Sequence, residues 1–320
     1  MTEESLHILA ITSSNHTFRI LKYCILGLKK MLNRKATKYE VSEIKKLWNE
    51  VFGDSDDYIN RFITHFGVKN CYVSKKNKEI VAIAFTIPTT FSINEVQDSK
   101  IQKFKDLKIQ RLLYLYACAT HPDYRGQGVM KSLLATVYKN ACDEDYTGIF
   151  LYAANQFLAN YYRKLGFEDC FFRNHSFYYN RKEYKGSTKN TKNELSLRSL
   201  RLNIIPPELY QKKRVRILNN SCFINWNEDF FRFLNQTGIQ FCEYENSIFS
   251  FRTGFNNIIV DELLGKISHN KLASLLSEHL PEFEVIHIRS MGNDFCSGQI
   301  KWCNDFKNPD KSGWFAFAME

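Results

Sequence analysis

The sequence predicts an α/β protein: a mixed central sheet flanked by helices, followed by a second, smaller α/β region. Three observations carry that reading. Segments with apolar residues at helical spacing alternate with short runs rich in Val, Ile, Phe and Thr. One such run, Leu112 to Thr120 (LLYLYACAT), is almost continuously apolar, as a strand covered on both faces must be. In the first half the order is two helices, three strands, helix, strand, helix and two strands, which interleaves the element types instead of segregating them.

The elements follow in order. Val41 to Phe52 sets Ile44, Leu47, Trp48 and Val51 on one helical face. Ser55-Asp56-Asp57 offers cap chemistry for a second helix through Tyr58, Ile59, Phe62 and Ile63, stopped at Gly67. Cys71 to Val73 reads as a short strand, Lys75 to Lys78 as a polar turn, and Glu79 to Ile93 as a longer strand bent near Pro88. Ser99 to Lys108 is a polar loop ahead of the Leu112 strand. Val129, Leu133, Leu134, Val137, Tyr138 and Ala141 keep helical spacing, Ile149 to Ala153 is another buried strand, and Gln156 to Leu165 is a helix closed by Gly166. Phe167 to Tyr179 supplies two final strands.

Tyr184 to Glu194 is polar and reads as a linker. Beyond it, Pro207 to Leu218, Glu228 to Leu234 and Lys271 to Leu280 read as helices. Ile239 to Phe251 reads as two strands around Glu245-Asn246, and Phe283 to Ile288 and Trp314 to Met319 as two more. The boundaries this gives are 1–35 for an N-terminal extension, 36–183 for the first domain, 184–194 for the linker and 195–320 for a second α/β domain, a candidate degenerate copy of the first layout.

The 320 residues, 44% hydrophobic with 26 Phe and 17 Tyr, are enough to bury two cores and argue against disorder over most of the chain. The formal net charge of +10 favours anionic ligands in general. Zinc-finger spacing, an RNA-recognition signature and a basic helix followed by heptads are all missing, so no specific nucleic-acid partner is expected. No run approaches a membrane span, and Glu3 and Glu4 do not fit the basic start of a secretory signal, so the expected location is cytoplasmic. Thr17 to Leu32 is a basic amphipathic stretch, read as an extra helix on the body or an extension upstream of a functional start near Met31. Nine cysteines without a C-x-x-C pair read as reduced thiols, not as disulfides or zinc ligands, and no metal is expected.

The chemistry centres on Thr120 to Leu134, THPDYRGQGVMKSLL. A helix N-terminus presents unpaired N–H groups and a partial positive charge, and glycines ahead of it let a phosphate reach the backbone. Arg125 adds a permanent cation. There is no G-x-x-x-x-G-K-[ST], which excludes a nucleoside-triphosphate P-loop, and Lys131 stands where a dinucleotide fingerprint needs its third glycine.

HPDYRGQGV, followed after a helix and a strand by NQFLANYYRKLGF, resembles the GNAT superfamily of acetyl-CoA-dependent N-acetyltransferases. Arg125 and Gly128 match its phosphate loop, and Met130 departs from the small residue common at the sixth position. The sequence looks like the tandem branch related to the enhanced-intracellular-survival acetyltransferases, over about Ala36 to Asn180. The resemblance implies a GNAT-like first domain with a degenerate GNAT-like second one. It implies acetyl-CoA as co-substrate, with pantetheine beside Ala117, Cys118, Ala119 and Thr120 and the pyrophosphate on Arg125, Gly126, Gln127, Gly128, Val129, Met130 and Lys131. The same strand residues serve equally as core packing. Asn155 sits near the cofactor in such enzymes, or caps the next helix. Tyr162 takes the place of the tyrosine that protonates the departing thiolate, or else is a core aromatic. The acceptor would be a primary amine of a small molecule or peptide. Leu112 to Thr120 carries no acid, which leaves Tyr114, Tyr116, a water chain or the carboxylate of Glu320 as bases. It also leaves open a CoA-binding or regulatory module that acetylates nothing.

Overall fold

The computed structural model describes residues 31–94, 107–180, 202–303 and 313–317. The extension through residue 30, most of the Ser99–Lys108 loop, the 184–194 linker and Glu320 lie outside the described residues. In chain order the elements are β1 (Leu32–Lys35), α1 (Val41–Phe52), α2 (Asp56–Phe66), β2 (Cys71–Lys76), β3 (Glu79–Asn94), β4 (Leu107–Thr120), α3 (Val129–Asp143), β5 (Gly148–Leu151), α4 (Gln156–Lys164) and β6 (Glu168–Tyr179). They continue with β7 (Asn203–Ile204), α5 (Pro207–Ile217), β8 (Phe223–Asn225), α6 (Glu228–Gln236), β9 (Gln240–Tyr244), β10 (Ser247–Thr253), β11 (Asn257–Leu264), α7 (His269–His279), β12 (Val285–Met291) and β13 (Phe295–Trp302).

Local signals set the first helices. Gly53, at φ 72°, turns the chain out of α1, and the Ser55 hydroxyl accepts the Tyr58 amide at 3.2 Å to start α2. The strands join in one mixed sheet of order β1-β2-β3-β4-β5-β13-β6-β12-β11-β10-β9-β7, with β8 pairing the far end of β3. β4 and β5 are parallel through the α3 crossover, and β11 and β12 are parallel through α7. The second half therefore repeats the layout of the first.

The halves exchange strands. β6, which follows β5 in the chain, pairs along β12, while β13, which follows β12, lies between β5 and β6. This corrects two expectations. Phe167 to Tyr179 holds one strand, not two: its polar middle, Arg173-Asn174-His175, is where pairing passes from β13 to β12. Asn174 Oδ1 accepts the Asn293 amide at 3.0 Å at that crossing. The last strand is Phe295–Trp302, and Gly313 and Trp314 make only isolated bridges. Ser297 and Gln299 give FCSGQIKW a polar alternate face, yet both side chains are buried.

Helices α1 and α2 pack on one face and meet α6 through Phe62, Phe66, Phe230 and Phe233, so one core runs through both halves. α3 and α4 cover the opposite face with Val129, Leu133, Leu134, Val137 and Tyr162. Inside the shared region Glu262, fully buried, accepts from Arg214 Nε and Tyr210 Oη at 2.9 Å and from Trp314 Nε1 at 2.5 Å. Glu262→Ala strands a buried guanidinium, and urea denaturation is expected to show a loss of about 3–5 kcal/mol. An unchanged midpoint would refute that role.

The cysteine reading needs correction as well. Cys142, at the end of α3, and Cys303, just past β13, form a disulfide with Cα atoms 5.5 Å apart and 161 residues between them in sequence. Spacing rules look for close pairs, and this one is assembled only by the strand exchange. Reduction by dithiothreitol is expected to lower stability by about 2–4 kcal/mol, read as a fall in Tm that Cys303→Ser reproduces.

Candidate active site

The site is built on a break in the sheet. β4 pairs with β5 only from Leu112 to Tyr114, opposite Gly148 to Phe150. β5 then ends at Leu151 while β4 continues to Thr120. On its other edge β4 stays paired to β3 through a bulge, where the register shifts between Ile83↔Ala119 and Phe85↔Tyr116 and Ala117 adopts φ 48°. A bulge bends its strand, and here β4 parts from β5. A cavity of about 430 Å³ fills the wedge, lined among others by Trp48, Asp54, Tyr58, Tyr116, Cys118 and Tyr162. These residues belong to both layers of the fold: Tyr162 to the α3/α4 side, Trp48 and Tyr116 to the α1/α2 side. The opening thus passes through the sheet.

At the end of β4 the sequence-predicted loop forms an open cradle. Gly126 and Gly128 have φ of 74° and 76°, and a Cβ on either would meet nothing within 4 Å. Gly128 is the N-cap of α3 and no side chain caps it. The first intrahelical amide to find an acceptor is that of Ser132, on Gly128 O at 3.0 Å, so the amides before it face solvent as orphan donors. Arg125 Nε donates to Thr120 O at 3.1 Å and Gln127 Nε2 to Asp123 O at 2.9 Å, which fixes the loop with the Arg125 guanidinium at its rim. Val129 is buried and Met130 half-buried against the same core, while Lys131 is exposed. Met130 therefore anchors the helix from behind. This arrangement suits a diphosphate: backbone donors, a helix dipole and a cation around two exposed glycines.

Of the strand residues, Ala119 and Thr120 pair with Ile83 and Ala82, and Cys118 lines the cavity. Asn155 caps α4, its Oδ1 accepting the Leu158 amide at 2.9 Å. Tyr162 is 8% exposed and lines the cavity together with Cys118. Burial holds the Tyr162 phenol well above its usual 10 and pushes the Cys118 thiol up to about 12. Both keep their protons at neutral pH.

The expected tyrosine bases do not fit. Tyr114 is packed among Phe150, Trp226 and Phe315. Tyr116 Oη lies 2.8 Å from Tyr58 Oη, and burial holds its phenol well above 10, so it yields no phenoxide to accept a proton. Sequence reasoning also missed Asp54, the one acidic side chain among the described residues lining the cavity. Its only sequence signal was a position in the turn between two helices, where acids are common as caps.

Residues 33–170 match the family profile described as an acetyltransferase (GNAT) domain. Over that segment the chain is similar to GNAT acetyltransferase domains, a fold that supports acyl transfer in general. A GCN5-related N-acetyltransferase from Kribbella flavida superposes with a TM-score of 0.60 at 14% identity, covering 85% of this chain and 70% of that one. Eis1 from Mycobacterium abscessus gives 0.52 at 10%, covering 81% and 65%. A candidate acetyltransferase from Pyrococcus horikoshii gives 0.53 at 12%, covering 90% and 95%. At these identities the likeness shows the fold alone. No curated protein matches the chain.

The second half lacks an equivalent cradle. Before α7 the Ser247 hydroxyl accepts the Lys266 and Ile267 amides, both at 2.9 Å, and Ser268 accepts that of Lys271 at 3.2 Å. A Cβ on Gly265 would lie 2.6 Å from Ser247. The donors a phosphate would use are spent on the protein itself.

Proposed function

We propose that the protein transfers the acetyl group of acetyl-CoA to a primary amine of a small molecule or peptide, by direct attack in a ternary complex. One observation carries this: the uncapped, side-chain-free start of α3 stands beside a gap in the sheet that leads into a cavity lined by Tyr162. The diphosphate of coenzyme A binds the amides from Gly126 to Lys131 and the Arg125 guanidinium. Its pantetheine arm lies along the free edge of β4 past Ala117, Cys118 and Ala119, as an added strand does, and Thr120 holds Arg125 in place. The Asn155 cap borders the arm. The acetyl group then reaches the cavity, where the Tyr162 phenol supplies a proton to the leaving thiolate. No metal takes part in this reading.

Titration calorimetry with coenzyme A tests it. Arg125→Glu places a carboxylate against phosphate and is expected to weaken binding by at least about 100-fold. Equal affinity in this variant would remove the cradle from the binding site, and absence of binding to the wild-type protein would end the proposal.

A further inference from the structure

We propose that Asp54 seats the acceptor's ammonium group and takes its proton, so that the acceptor is an aliphatic primary amine bound in its charged form. The inference rests on the acetyl-transfer reading and adds to it the missing base and the class of acceptor.

Asp54 is placed by the structure around it. Gly53 ends α1 in the left-handed conformation and turns the chain toward the cavity. Asn49 Nδ2 holds the Asp54 carbonyl at 2.8 Å, and Trp48 Nε1 donates to Asp54 Oδ2 at 2.7 Å. Trp48 is itself fixed by edge contacts with Phe62, Phe85 and Tyr116, at centroid distances of 5.0, 5.2 and 5.7 Å. One carboxylate oxygen is thereby fixed, and Oδ1 accepts no bond among the described residues. The cavity it lines also carries the rings of Trp48, Phe52, Tyr58 and Tyr116. A carboxylate sharing a cavity with aromatic rings offers a site for a cation: the charge pairs with the acid and the rings attract the C–H and N–H groups around it. The Asp54 charge also reaches the cavity walls, where it adds to burial in holding the Tyr58 and Tyr116 phenols up.

Position supports a reacting role. Asp54 lines the α1/α2 side of the opening and Tyr162 the α3/α4 side, with the free edge of β4 between them. A bound ammonium has no lone pair. Asp54 takes one proton, and the freed nitrogen bonds to the acetyl carbonyl carbon as the C–S bond breaks. The sulfur takes the Tyr162 proton, the phenoxide recovers one from the new amide nitrogen, and the proton on Asp54 leaves to water. An arylamine is neutral at pH 7 and brings no charge to pair with the carboxylate. The cavity selects against it.

Two readouts test this on the full chain. In the first, cadaverine and aniline are titrated calorimetrically into the coenzyme A-saturated protein. Wild type is expected to bind cadaverine and not aniline, with cadaverine affinity falling about 10- to 100-fold in Asp54→Asn, the loss of a charge-assisted hydrogen bond. Asp54→Asn keeps an acceptor for Trp48, and Asp54→Glu, which keeps the charge, is expected to retain measurable binding. In the second, kcat/KM for cadaverine in Asp54→Asn is expected to climb with pH in step with the free amine, beyond the pH where wild type levels off. Cadaverine affinity within about twofold of wild type in Asp54→Asn, or an unaltered pH profile, overturns the proposal. If coenzyme A itself does not bind, the acetyl-transfer reading fails on its own, and cadaverine titrated into the free protein still decides the ammonium site.

Discussion

Gly128→Val is expected to abolish coenzyme A binding in a calorimetric titration while leaving the far-UV circular dichroism of the protein unchanged. Gly128 sits at φ 76° and a Cβ there meets no protein atom within 4 Å. The protein has room for an added Cβ, so no clash with the fold opposes the change there. Two other terms do. A β-branched residue resists the left-handed region at a cost of about 1–2 kcal/mol, which tilts the start of α3 away from its present course. The isopropyl group also fills the space from which the amides would reach phosphate. Charge-assisted bonds are worth about 1.5–3 kcal/mol each, so losing two of them already weakens affinity by about 100-fold or more. Gly265→Ala is the matched control. Its Cβ collides with Ser247 at 2.6 Å, so it should lower Tm and leave coenzyme A affinity intact. If Gly128→Val binds normally, or Gly265→Ala loses binding, the open helix start before α3 is not the anion site.

What made this cradle legible in the sequence is that its chemistry is local. Arg125, Gly126, Gln127 and Gly128 are consecutive, and the strand before them and the helix after them announce themselves by apolar pattern. The same holds for α2, fixed by Ser55, and for the continuous apolar run of β4. Legibility fails where partners are distant in the chain. β13 pairs with β5 across almost half the sequence, and its buried Ser297 and Gln299 read as surface residues until the first half covers them. Cys142 and Cys303 find each other only through that pairing. Asp54 lay in plain view, but nothing in GDSDD distinguishes the acid aimed at a cavity from Asp56 and Asp57, which sit in the first turn of α2. Its role follows from Trp48, and Trp48 looks like an ordinary core residue until its indole N–H is seen to hold the carboxylate.

Tyr162→Phe should lower kcat by about 10²- to 10⁴-fold, the range for loss of a positioned general acid, and leave the affinity for coenzyme A within about twofold. The split is the diagnostic. The ring is 8% exposed and packs on Phe167 and Tyr161, contacts a phenylalanine keeps, so the fold and the cavity wall survive the change. Only the hydroxyl is lost. The pH dependence sharpens the test. Burial raises the Tyr162 phenol well above 10, so the acid stays protonated through the neutral and mildly alkaline range, and wild-type kcat should show no descending limb from this group below pH 10. Stability carries the same sign: a phenol raised in the folded state contributes fully below its unfolded value and loses that contribution as pH climbs toward the folded one. Tyr58, pushed up to about 12, behaves alike, so alkaline unfolding should set in above about pH 10, with Tyr162→Phe more resistant than wild type. A descending limb near pH 8 that vanishes in Tyr162→Phe would mean the phenol ionises far more easily than its surroundings allow. Unchanged turnover would return the proton to another donor, and the Cys118 thiol, pushed up to about 12 by burial in the same cavity, is the first to examine.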